Sequence, residues 1–177
     1  MSDLVLSEYW QYNFPPFFTI QPNLETRKVQ LEAWTSLILA WCENSSTFKL
    51  DVSCALREQP FQNSTISRGL DQDSLVTVLE HMKDKGKLEW CDKGKSRCFV
   101  LWHSPGEWAK IIYDWAVDNA HVNTVCTFYE IVAADESKGL LFHKMDLDLL
   151  RRCLKVLEKD GKAVVINPND DGGVKFL

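Results

Sequence analysis

The segment Leu75-Val76-Thr77-Val78-Leu79-Glu80-His81-Met82-Lys83-Asp84-Lys85-Gly86-Lys87-Leu88-Glu89-Trp90 recurs, in pattern, 75 residues further along the chain. Under that shift Leu75, Leu79, Met82, Gly86 and Lys87 fall on Leu150, Leu154, Leu157, Gly161 and Lys162, and Phe99 and Leu101 fall on Val174 and Phe176. The apolar residues recur at helix spacing, and a glycine just past such a stripe favours a left-handed helix stop. A shift of 74 places Trp34, Ile38 and Trp41 on Trp108, Ile112 and Trp115, neighbours along one helical face. A small unit written twice accounts for all of these coincidences.

Outward from that segment, each copy reads as helix, short strand, helix, helix and two-stranded hairpin. In the first copy the stripe Leu31, Trp34, Ile38 and Trp41 predicts a helix over residues 25–43. A strand follows at Phe48 to Val52, then a weaker helix near Ser53 to Gln59 that Pro60 ends. Asp73-Ser74 opens the third helix, and Lys87 to Cys91 and Cys98 to Trp102 form a hairpin around a polar turn.

The second copy starts after His103-Ser104-Pro105, with Pro105 suited to a first helical turn. Thr127-Phe128-Tyr129-Glu130 has capping-box spacing, with Cys126 and Ile131 placed as a hydrophobic staple. Asp135 to Gly139 is a polar stretch before a third helix from about Asp146 to Asp160. Strands at Ala163 to Asn167 and Gly173 to Leu177 flank Asn169-Asp170-Asp171-Gly172, a turn that lacks the closing Glu of a calcium loop. Three helices followed by a hairpin make a winged helix. The expected fold is therefore α+β and mainly helical: an extended N-terminal aromatic tail (1–24), a first winged helix (25–103) and a second (104–177).

The tail Tyr9-Trp10-Gln11-Tyr12-Asn13-Phe14-Pro15-Pro16-Phe17-Phe18 carries six rings. Pro15-Pro16 favours an extended, polyproline-like course, the shape of a ligand for a groove on another molecule. Full burial of Phe17 and Phe18 is worth about 1.5–3 kcal/mol each, enough for a hot spot. On that view, changing both to Ala abolishes docking and leaves the fold intact. Folding of the tail back beside the first helix is the alternative. A membrane-surface role conflicts with charge, since residues 1–26 hold Asp3, Glu8 and Glu25 and no Lys or Arg.

The net charge of −5 shifts the expected partners towards proteins and away from nucleic acid. No apolar run is long enough to span a bilayer and no signal-peptide pattern opens the chain, so a cytoplasmic location is expected. Six cysteines without a C-x-x-C pair read as buried thiols, and Cys91, Cys98 and His103 are the nearest approach to a zinc set. No metal or cofactor is expected. The alternative of a winged-helix DNA-binding or transcription-associated protein meets third helices that set Lys83 and Lys85 against Asp71, Asp73, Glu80 and Asp84, and Arg151, Arg152, Lys155 and Lys159 against Asp146, Asp148, Glu158 and Asp160, and leaves Lys93, Lys95 and Arg97 as the best basic patch. No catalytic motif is present, and His81, His103, His121 and His143 are scattered, so no enzyme and no small-molecule substrate are expected.

Trp10-Gln11-Tyr12, Phe14-Pro15-Pro16-Phe17-Phe18-Thr19, Gln21-Pro22-Asn23, Gly86-Lys87-Leu88-Glu89-Trp90 and Gly173-Val174-Lys175-Phe176 together resemble the small-subunit family of the ESCRT-II endosomal sorting complex, over nearly the whole chain. The Asp135 to His143 segment is shorter and less acidic than that family's pattern. The resemblance implies a non-catalytic adaptor in sorting ubiquitinated cargo into multivesicular bodies, held peripherally on endosomes through its complex. It implies two copies of the chain joined to two larger subunits in a heterotetramer, with Pro15, Pro16, Phe17 and Phe18, preceded by Phe14, docking in a groove on each larger subunit. It further implies that the second winged helix, 104–177, receives the N-terminal helix of an ESCRT-III subunit.

Overall fold

The computed structural model describes residues 2–167 and 172–177. Two compact units are present, Met1–Trp102 and His103–Leu177. The N-terminal segment expected to stand apart as residues 1–24 lies within the first unit. The expected Asn169-Asp170-Asp171 turn lies outside the described residues.

Unit 1 runs α1 (Ser2–Ser7), two 3-10 turns (Trp10–Asn13 and Pro15–Phe18), α2 (Leu24–Asn44), β1 (Lys49–Asp51), α3 (Val52–Ala55), β2 (Gln62–Asn63), β3 (Arg68–Gly69), α4 (Gln72–Asp84), β4 (Leu88–Trp90) and β5 (Arg97–Val100). Unit 2 runs α5 (Pro105–Asp118), β6 (Val125–Thr127), α6 (Phe128–Val132), a 3-10 turn (Asp135–Ser137), α7 (Leu147–Lys159), β7 (Ala163–Ile166) and β8 (Gly173–Phe176). The sheets have matching strand orders, β1-β5-β4 and β6-β8-β7, all antiparallel.

Local chemistry sets the helix ends. The Asn23 carboxamide accepts from the Thr26 amide at the start of α2, and Asp71 accepts from the Ser74 amide at the start of α4. Ser104 with Glu107 and Thr127 with Glu130 form reciprocal capping boxes on α5 and α6. At the other end, Gly86 and Gly161 both have φ of +70°, and each is followed by a lysine amide that reaches back to the helix, Lys87 to the Met82 carbonyl and Lys162 to the Leu157 carbonyl. Both stops thus have the two-bond Schellman arrangement that glycine permits.

Each unit is built on one tryptophan. Trp34 on α2 and Trp108 on α5 are fully buried. Around Trp108 the core of unit 2 gathers Ile112, Phe128, Leu150, Leu154 and Phe176, also buried. In unit 1 the hairpin is tied to α4 through Glu80, which accepts from the Trp90 indole and pairs with Lys95 at 3.1 Å.

Two expectations change. The tail is not extended throughout: a proline φ near −65° suits a 3-10 turn as well as polyproline, and Pro15 opens the turn that ends at Phe18, while Phe14 keeps the extended backbone a pre-proline residue needs. The weak helix near Ser53 to Gln59 shortens to α3, and the β2–β3 pair follows it. Strands of two residues are too short for alternation to reveal. Within and after the polar Asp135 to Gly139 stretch, Ser137, Phe142 and Met145 are buried and add to the core.

Candidate functional site

The N-terminal motif divides by face. Phe17 and Phe18 are each 4% exposed, whereas Phe14, Pro15 and Pro16 are exposed on the outer side of the turn. Phe17 lies flat on the Trp34 indole, with centroids 4.3 Å apart and planes 4° apart, and Phe18 meets the same indole edge-on at 5.4 Å. Phe61 lies nearly parallel to Trp34 at 6.4 Å. Aromatic pairs of this kind add about 0.5–1.5 kcal/mol to simple area burial, so the rings expected to wait for another molecule are core residues of this chain.

Polar groups hold the same turn. The Phe17 carbonyl accepts from the Trp34 indole N–H and from Gln30 Nε2, both at 2.9 Å. Gln30 Nε2 also donates to the Thr19 carbonyl at 2.8 Å, and its Oε1 accepts from the Gln21 amide at 3.0 Å. A buried carboxamide is thereby satisfied entirely by tail backbone, which is the condition for its burial to be tolerated. Further up, Tyr12 donates its hydroxyl to the Gln62 carbonyl at 2.9 Å, and Asn63 Nδ2 donates to the Tyr12 carbonyl at 2.8 Å. The β2–β3 pair is therefore the receiver of the tail.

What remains outside is apolar. Trp10 is 69% exposed and its ring sits 5.9 Å from that of Phe14, itself 49% exposed. Between this edge and α2 lies a groove of about 360 Å³ lined by Trp10, Phe14, Pro16, Val29 and Ala33, with Gln11, Gln21 and Thr26 as polar members of the lining. Sequence reasoning had no means of finding Val29 or Ala33, because neither belongs to the motif; Val29 stands out only as an apolar residue off the buried stripe of α2.

The other candidates have ordinary structural roles. Cys98 is buried, and burial pushes its thiol up to about 12, as it does for Cys42 and Cys153. Cys91 is exposed, and among the described residues no group of three or more His, Cys, Asp and Glu could hold a metal ion. His143 hydrogen-bonds through Nδ1 to the buried Ser137 hydroxyl at 2.7 Å, and that hydroxyl donates to the Ala134 carbonyl, a clasp within the α6–α7 connection. Three of the cations on or beside α4 and α7 that a nucleic acid would need are engaged with carboxylates: Lys85 with Glu32, Lys83 with Glu80 and Arg151 with Asp148. No helix among the described residues is long and apolar enough to cross a membrane.

The family model for an ESCRT-II complex subunit matches residues 11–146. The chain belongs to the ESCRT-II complex subunit family. The chain is 46% identical over 168 residues to vacuolar protein-sorting-associated protein 25 of Danio rerio, covering 95% of this chain and 97% of that one. Against the Homo sapiens and Arabidopsis thaliana proteins of that name identity is 41% and 36%, again over 96% and 97% of their lengths. A crystal structure of subunit VPS25 of the endosomal trafficking complex ESCRT-II superposes with a TM-score of 0.83 at 30% identity, covering 94% of this chain and 97% of that one. A chain from the crystal structure of the endosomal complex ESCRT-II (VPS22/VPS25/VPS36) gives 0.83 at 29%, covering 97% and 99%. Members of the ESCRT-II family are structural subunits of a trafficking complex, not enzymes.

Proposed function

We propose that this chain is the small adaptor subunit of an ESCRT-II complex in endosomal sorting, built as two winged helices, 25–103 and 104–177, with the N-terminal motif as its docking surface. The shared element order and strand order of the two units support the winged-helix description. The chain joins two larger subunits, two copies of it per heterotetramer, and works peripherally on the endosomal membrane in sorting ubiquitinated cargo into multivesicular bodies. Docking uses Phe14, Pro15, Pro16, Phe17 and Phe18 with divided labour: Phe14, Pro15 and Pro16 face the larger subunit, and Phe17 and Phe18 hold them in place.

The observation that carries this reading is the exposed Phe14-Pro15-Pro16 edge beside Trp10, fixed by a buried polar and aromatic clasp. An edge ordered before binding loses little further entropy on docking, which favours affinity. The second winged helix recruits the N-terminal helix of an ESCRT-III subunit, and two such sites per complex raise avidity. Co-expression with the two larger subunits and measurement of intact mass tests the assembly. A discrete heterotetramer that the combined F14A, P15A and P16A substitutions dissolve is the expected result, and a wild-type mass for that variant rejects the docking surface.

A further inference from the structure

We infer that the groove between the tail and α2 is a socket that receives an uncharged apolar side chain, or an adjacent pair, from the larger subunit on which the tail docks. This rests on the docking reading above and reverses its direction at one point: the tail does not only project into a partner, the partner also inserts behind it. Phe17 and Phe18 cannot reach outward without dismantling the packing on Trp34. The accessible apolar surface lies instead along Trp10, Phe14, Pro16, Val29 and Ala33, around a space of about 360 Å³.

The chemistry of the lining selects the occupant. No charged residue lines the groove, and of its polar lining the Gln30 carboxamide is committed to tail backbone, Gln21 Nε2 to the Pro16 and Thr19 carbonyls and the Thr26 hydroxyl to Asn23. A charged group placed there would lose water and find no opposite charge, only the neutral Gln11 among side chains not already bonded within the chain, so the occupant is apolar. Continuity selects its source. Phe14 and Pro16 belong both to the exposed docking edge and to the groove wall, so a surface that closes over the edge also closes over the groove. Trp10 and Val29, about 70% exposed in the free chain, then become the rim residues that a polypeptide partner covers and a small free ligand would leave wet. Aromatic residues around a desolvated pocket are the composition of a binding hot spot.

The test uses the full chain co-expressed with its two larger subunits, with affinity measured by titration of the purified chain into those subunits. Val29→Asp places a charge at an exposed helix position in the groove, and Ala33→Trp fills the groove; Leu24→Asp, on an exposed position of the same helix outside the lining, is the control. Val29→Asp and Ala33→Trp are expected to weaken binding at least ~30-fold, the size of a hot-spot loss. Leu24→Asp is expected to stay within about twofold, as outside the hot spot, and Val29→Asp and Leu24→Asp should melt with the parent chain. If Val29→Asp binds as the parent does while F14A with P15A and P16A fails to bind, the socket is wrong and the docking edge stands. If all of these variants bind normally, docking through this end of the chain is wrong altogether. A free chain whose mass doubles at micromolar concentration and halves in Val29→Asp would assign the groove to a second copy and overturn the proposal.

Discussion

Trp34 in unit 1 and Trp108 in unit 2 are buried alike at corresponding places on α2 and α5, yet they are covered by different means. Over Trp34 lie Phe17 and Phe18 from the tail and Phe61 from the segment leading into β2. Among the described residues unit 2 has no counterpart of the long tail or of the β2–β3 pair; the His103 ring meets Trp108 edge-on at 4.8 Å, and the α6–α7 connection sends Phe142 and Met145 into the core, where Phe142 meets Trp115 edge-on at 5.6 Å. The difference teaches that the N-terminal motif is first a structural part of unit 1. Its proposed use as a docking surface depends on that, because the rings facing inward hold in place those facing out.

Breaking the comparison at its widest point means removing the tail's inward rings. Changing both Phe17 and Phe18 to Ala should cost about 3–5 kcal/mol each, enough to abolish the folded state of unit 1 while unit 2 survives. Circular dichroism should therefore fall substantially, and an unchanged spectrum would mean that the tail is dispensable to its unit. That is the reverse of the expectation from sequence, in which the same double change left the fold intact. The converse change, Trp108→Ala, should cost about 3–5 kcal/mol in unit 2 and leave the melting of unit 1 alone, a separation that thermal denaturation followed by hydrogen exchange can resolve.

The comparison sharpens with smaller changes. Gln30→Ala removes the donor to the Phe17 and Thr19 carbonyls and should cost about 1–3 kcal/mol, read in urea midpoints and in faster amide exchange of residues near Gln21. Gly86→Ala and Gly161→Ala should each cost about 1–2 kcal/mol, and by equal amounts in the two units. No neighbouring atom lies within 4 Å of the added methyl at either site, so the left-handed backbone alone sets the cost.

The least effect expected is one of pH. Hydrogen bonds hold the carboxyls of Asp71 (from the Ser74 amide) and Asp51 and Asp92 (from Ser53 and Ser96) below the usual carboxylate range, and the Lys85 and Lys95 ammonium groups do the same for Glu32 and Glu80, all in unit 1. Glu130, held down by the Thr127 amide, is a counterpart in unit 2. Groups with depressed folded values stabilise above their unfolded values, near 4, and lose that contribution as pH falls through the folded ones. Melting curves between about pH 5 and pH 2 should therefore fall more steeply for unit 1, and equal slopes would count against this account.

Much of the fold was legible because it is local. The stripe Leu75, Leu79 and Met82, the Thr127 to Glu130 capping box and the two glycine stops act over three to five residues, within one turn of backbone. Even the doubling of the unit is visible, since the same local signals recur in the same order. Less legible were Phe142, hidden after a polar stretch, and β2–β3, whose pairing has no periodicity of its own.

By itself, then, the sequence determined the longer helices, the Thr127 to Glu130 cap, the two glycine stops and the family signature in the Phe14 to Phe18 motif. Only the tertiary structure decided which of those aromatic rings turn inward. That outcome depends on Phe17 meeting Trp34 and on Tyr12 reaching Gln62, contacts separated by 17 and 50 residues along the chain. A proline-set φ is equally compatible with an extended ribbon and a tight turn, and a ring has no intrinsic preference between its own core and another's. The nearest unoccupied apolar surface settled the matter, and for Phe17 and Phe18 that surface was α2 of the same unit.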